Sequence, residues 1–112
     1  HMIDKVQVLS RVLFEDMGFG GNEEDYYNYK NSLLNHVLET KKGIPITLAI
    51  LYTCIARRLA LKVDMIGLPG HLVLGFHDDL QGEQRFLDVF HGGRVLDLVD
   101  CQSIAASYGF AW

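Results

Sequence analysis

GIPITLAILYTCIARRL, residues 43–59, decides how the rest of the chain reads. Gly43 and Pro45 reset the backbone, and proline suits the first turn of a helix because the N–H it lacks would be unpaired there anyway. From Ile46 to Leu59 the segment is apolar on nearly every side, the pattern of a helix covered by the rest of its domain. Arg57 and Arg58 mark its solvent-reaching end. A helix N-terminus presents unpaired N–H groups and a positive dipole, so it can activate a thiol or hold an oxyanion. The first nucleophilic oxygen after the turn belongs to Thr47. Cys54 lies about two turns further in and reads as a small buried hydrophobe.

Outward from that helix, the totals describe one small domain. The chain has 112 residues, 49% of them hydrophobic, with no low-complexity stretch. His1-Met2 reads as a tag remnant, which leaves a single domain over 3–112. The apolar Trp112 at its end reads as the edge of a segment taken from a longer protein. A net charge of −4 with scattered basic residues argues against nucleic-acid binding. No apolar run approaches the roughly 18–20 residues that span a bilayer. Two cysteines, Cys54 and Cys101, make no disulfide framework and fit a reducing intracellular compartment, cytoplasmic or nuclear.

Before residue 43 the periodicity is helical. Apolar residues at 6, 9, 12, 13 and 17 give an amphipathic helix over Ile3–Met17, ended by the glycines of GFGG at 18–21. Asn22 can cap a second helix running to about Thr40, with Tyr26, Tyr29, Leu33, Val37 and Leu38 as its buried stripe. After Leu61 the period changes. KVDMIG, HLVLGF, RFLDVF and RVLDL are short strands separated by turns, and a last helix starts near Asp97 or Asp100 and runs to Tyr108. Helices followed by a strand meander predict an α+β fold, with the central helix packed on a small antiparallel sheet.

Chemistry concentrates at GIPIT (43–47), GLPGH (67–71), FLDVF (86–90) and HGG (91–93). If the second and third strands are hairpin neighbours, His71 and Asp88 meet across the sheet. A histidine held by an aspartate is the base-and-orienter half of a nucleophilic triad, whose third member would stand at the central helix N-terminus. Thr47 replaces a thiol poorly, because an internal threonine lacks the N-terminal amine that usually activates such a hydroxyl. The plainer reading of His71 with Asp88 is a hydrogen-bonded pair that stabilises a strand junction. His71, Asp88 and His91 are suitable metal-ligand types, but their spacing matches no compact zinc motif, so neither metal nor other cofactor is expected. His36 and His77 read as surface or rim residues, and Tyr26, Tyr27 and Tyr29 as material for a partner-binding patch.

The stretch GIPITLAILYTCIARRLALKVDMIGLPGHLVLGF, followed by FLDVFHGGRVL, resembles the SirB-type branch of the transglutaminase-like superfamily, and also the corresponding domain of certain F-box adaptor proteins. The resemblance runs from NSLLNHVL at 31–38 to the last helix, with GIPIT, LPGH and the D-x-F-x-GG pattern at Asp88 as its most specific blocks. It implies a papain-like α+β fold and carries the superfamily's cysteine, histidine and aspartate onto Thr47, His71 and Asp88. The branch commonly has a small hydroxyl residue at the first of these positions. Val89 stands where branch members often have proline, and Leu72 where they often have an aromatic.

The resemblance thus implies a binding or adaptor domain whose triad has lost its nucleophile, with a protein or peptide partner, in a ubiquitin-ligase or regulatory context. Ile46, Gly70 and His91 would line its ligand pocket. The alternative is a hydrolase or acyl transferase in which His71 is the base, Asp88 its orienter, and Thr47 or water the nucleophile.

Overall fold

A computed structural model describes residues 1–111; Trp112, read above as the domain edge, lies outside them. Helix α1 (Met2–Ser10) continues as a wider π turn over Arg11–Asp16, and Gly18, at φ +79°, ends it. Val6, Leu9 and Leu13 face the core as expected. The wider turn shifts the helical phase, however, so Val12 and Met17 emerge as exposed.

Residues 22–40 do not form one helix. A turn leads into a 3-10 segment at Tyr29–Ser32, and only Leu34–Thr40 (α2) is α-helical. Asparagine chemistry explains the break. Asn22 Oδ1 accepts the N–H of Asp25, and Asn28 Oδ1 accepts that of Lys30, so side chains satisfy donors that a helix would have used. Of the expected buried stripe only Val37 is buried; Tyr26, Tyr29, Leu33 and Leu38 are exposed. Lys41, at φ +62°, ends α2. The two-residue strands β1 (Gly20–Gly21) and β2 (Lys42–Gly43) then pair in parallel, a link the sequence pattern did not announce.

Helix α3 (Pro45–Arg58) starts at the predicted proline. Its cover is one-sided. Thr47, Leu48, Ala49, Tyr52 and Ala56 are buried, whereas Ile46 and Cys54 are exposed, which corrects the expectation of a helix enclosed all round and of a buried Cys54. Apolar composition supplied a burial partner for one face only; Cys54 instead lines a surface groove with Arg57 and Lys62. Tyr52 ties α3 to α1, its hydroxyl lying 2.9 Å from Ser10 Oγ and 3.0 Å from the Val6 carbonyl. Burial pushes that phenol up to about 12.

The meander follows as read: β3 (Asp64–Leu68), β4 (His71–Asp78), β5 (Glu83–Asp88) and β6 (Arg94–Leu96) form one antiparallel sheet in that order. Side-chain alternation divides its faces. Leu72, Leu74, Phe76 and Leu87 pack with α1 and α3. Val73, Phe86 and Leu96 pack with Cys101 of the last helix, α4 (Leu98–Ser107). Asp97 caps α4 by accepting the Asp100 N–H, and Asp100 returns the bond to the Asp97 N–H. The fold is α+β, with helices on both faces of the sheet rather than one. Among the described residues no helix is long and apolar enough to cross a membrane.

Candidate functional site

The site is assembled by two turns. Leu68-Pro69-Gly70 closes the β3–β4 hairpin with Gly70 at φ +72°, and His71 opens β4. Leu74 pairs with Leu87 in the β4–β5 register, so position 88 falls opposite 73 and His71 reaches Asp88 diagonally rather than directly. Asp88 is the last residue of β5. Val89–His91 then form a single 3-10 turn, with Gly92 and Gly93 both at positive φ, and this folds His91 back over the aspartate.

Asp88 uses its two oxygens differently. Oδ1 accepts the backbone N–H groups of Phe90 (3.1 Å) and His91 (3.2 Å), which fixes the carboxylate plane. Oδ2 faces both imidazoles, 3.2 Å from His71 Nε2 and 2.8 Å from His91 Nδ1. The two rings lie 6.2 Å apart between centroids at an interplanar angle of 27°. His91 Nε2 points outward, 3.6 Å from a carboxylate oxygen of Glu23. The hydrogen bond His71 makes to the Asp88 carboxylate raises the His71 pKa, with burial opposing it and the carboxylate charge reinforcing it. For Asp88, burial acts to raise the pKa, but the hydrogen bonds and charges of His71 and His91 outweigh it, and the net shift is downward.

The trio opens on a cleft of about 370 Å³ on the α4 face of the sheet, bounded also by Arg94, Ser107 and Tyr108. Gly70 sits beneath Tyr108, where any Cβ would come within 2.6 Å of the ring. The structure therefore brings together His71, Asp88, His91 and, through Tyr108, Gly70.

Thr47 and Ile46 are placed elsewhere. Thr47 is buried (3% exposed), and its hydroxyl accepts the Ile44 N–H at 3.1 Å and donates to the Asn31 carbonyl at 2.9 Å. It makes no hydrogen bond to His71 and does not line the cleft. Ile46, one residue earlier, is 43% exposed and also lies outside the cleft lining. Cys101 is buried between α4 and the sheet, where burial, and then the carboxylates of Asp100, Asp97 and Asp88, push its thiol up to about 11.

Three participants escaped the sequence reading. Glu23 beside His91 is joined to it only by the fold, and Arg94, three residues beyond His91, reaches the cleft from the start of β6. Asn31 is a buried hub whose amide donates to the carbonyls of Asp25 (2.7 Å) and Tyr26 (2.9 Å) while its side-chain oxygen accepts from Asn22 (2.9 Å). An asparagine inside NSLLNHVL carries no local signal of that kind.

Comparison with known proteins agrees with this architecture. The profile of the Transglutaminase-like superfamily matches residues 1–111, and the chain belongs to that superfamily. It is similar to a UPF0162 protein of Xylella fastidiosa, with 39% identity over 93 residues, 83% of this chain and 32% of that protein. A UPF0162 protein of Pasteurella multocida is 31% identical over 88 residues, 79% of this chain and 33% of its own length. F-box only protein 21 of Mus musculus is 29% identical over 116 residues, 93% of this chain and 18% of that protein. The chain thus spans a third or less of the length of these relatives. No solved structure matches it.

Proposed function

We propose that this transglutaminase-like domain is a non-catalytic binding module, working as a recruiting or adaptor part of a longer intracellular protein. One observation carries the reading: the Thr47 hydroxyl is spent on Ile44 and Asn31 rather than on His71, and Ser107, the hydroxyl that does line the cleft, donates to the Ile104 carbonyl. Neither cysteine supplies a nucleophile, since Cys54 faces another groove and Cys101 is buried. Relatives named as F-box proteins support an adaptor setting.

The partner surface would be polypeptide-binding. Tyr27 and Tyr29 are 95% and 72% exposed. Tyr26 makes edge contacts with both Tyr27 and Phe90, and Phe90 with His91, so an aromatic path runs from the exposed tyrosines to the cleft. Exposed tyrosines give large contact area at little conformational cost, which suits a peptide partner.

Thr47→Cys tests the reading. Its alkylation, followed across pH, is expected to be slow and indifferent to His71→Ala. A thiol of low apparent pKa that rises when His71 is removed would overturn it. So would acyl transfer or hydrolysis by the unaltered domain that Thr47→Val abolishes, because that result belongs to the enzyme alternative.

A further inference from the structure

We propose that His71, Asp88 and His91 form a divalent-cation site of the zinc class, with an open coordination position facing the cleft. One ligand atom from each residue can be chosen so that all three lie within 4.8 Å of one another. Two of the contacts are direct: Asp88 Oδ2 lies 3.2 Å from His71 Nε2 and 2.8 Å from His91 Nδ1. Ligands at zinc bond lengths of about 2.0–2.2 Å in a tetrahedron stand about 3.3 Å apart, so small ring movements would admit the ion.

The surroundings hold this set in the manner of a metal site. Asp88 Oδ1 is pinned by two backbone N–H groups, which leaves Oδ2 to act as ligand without reorientation. The tautomers carry the argument further. For His91 to donate to Asp88 without a metal, its proton sits on Nδ1, and a neutral ring then turns the bare lone pair of Nε2 toward the Glu23 carboxylate at 3.6 Å. A cation on Nδ1 reverses this: the proton moves to Nε2 and faces Glu23, which becomes an orienting carboxylate behind a metal-bound histidine. His71 bound through Nε2 keeps its proton on Nδ1.

Two neutral imidazoles and one carboxylate cancel one charge of a divalent ion and fill three of four tetrahedral positions. The fourth faces the cleft that Arg94 and Ser107 also line, and there it takes water or a carboxylate donor from a bound segment, with Arg94 as partner to the anion. The site shares its cleft with the binding reading above but does not depend on the absence of catalysis, because its readout is the metal itself.

The test is calorimetric titration of the chelator-treated full chain with Zn²⁺, repeated with Co²⁺ for its visible absorption. A His1→Ala background removes the terminal imidazole, which lies 3.6 Å from Asp79 and is a competing ligand. One equivalent is expected. His71→Ala, Asp88→Asn and His91→Ala should each weaken it by more than tenfold, and Glu23→Gln by roughly tenfold. Circular dichroism checks each fold. If His71→Ala does not fold, His91→Ala decides, since that side chain is 52% exposed. No binding by the parent chain, or an affinity unchanged in any folded ligand variant, overturns the three-ligand site.

Discussion

The Thr47 hydroxyl donates to the Asn31 carbonyl at 2.9 Å, which makes the residue at the helix entrance a joint between α3 and the 3-10 segment before α2. The same oxygen accepts the Ile44 N–H, so one side chain satisfies groups on two segments. Thr47→Val keeps the shape and removes both bonds. Losing a cap and leaving a carbonyl unpaired should cost about 1–3 kcal/mol, whereas Thr47→Ser should retain most of the stability. Denaturant midpoints at unchanged slope measure the difference. A valine variant as stable as the parent would refute the joint.

The two thiols should separate cleanly. Cys54 is exposed, and Cys101 is fully buried with its thiol pushed up to about 11. A disulfide reagent at mild alkaline pH is expected to modify one thiol per native chain quickly and the second only on unfolding. Peptide mapping should find the fast label on Cys54. Equal rates for the two would mean that α4 does not cover the sheet as described.

What could be read in the sequence follows the range of the interactions. The meander was legible because alternation and turn residues are local, and so was the start of α4 near Asp97 and Asp100, although their reciprocal cap was not read. His71 with Asp88 was legible because a hairpin brings its own strands together. Residues 22–33 misled because Asn22 and Asn28 each bind nearby backbone, a competition that apolar spacing does not record. Cys54 misled because an apolar helix does not state how many of its faces find a partner. The site read at GIPIT turned on one residue of helical phase, which exposes Ile46 and buries Thr47.

The His71–Asp88 pair should give stability a defined pH window, observed with a chelator present. His71 has a raised pKa, so its contribution is complete below its ordinary value of 6.5 and is lost as pH rises through the folded value. Asp88 has a lowered pKa, so its contribution is complete above its ordinary value of 3.8 and is lost as pH falls through the folded value. Both are complete between those two values. The stability difference between the parent and His71→Gln should therefore be largest in that window and shrink toward mildly alkaline pH. Imidazole proton resonances followed by NMR should show His71 titrating above its ordinary value of 6.5. A stability difference that grows with alkalinity would show that the pair is not charged.

Gly70 offers a test of how the cleft wall is held. Its φ of +72° is costly for any residue with a Cβ, and that Cβ would also meet the Tyr108 ring at 2.6 Å. Gly70→Ala should lose about 1–3 kcal/mol from strain and collision together. Tyr108 is half-exposed at the end of α4, so Tyr108→Ala alone should cost much less. In the double variant the collision disappears and only the backbone strain remains. The cycle should then show a favourable coupling of at least about 0.5 kcal/mol, measurable from denaturant unfolding of the four proteins. Additive losses would place Tyr108 away from the turn and open the cleft beside His71, whereas the coupling predicted here keeps Gly70 as the floor on which that wall rests.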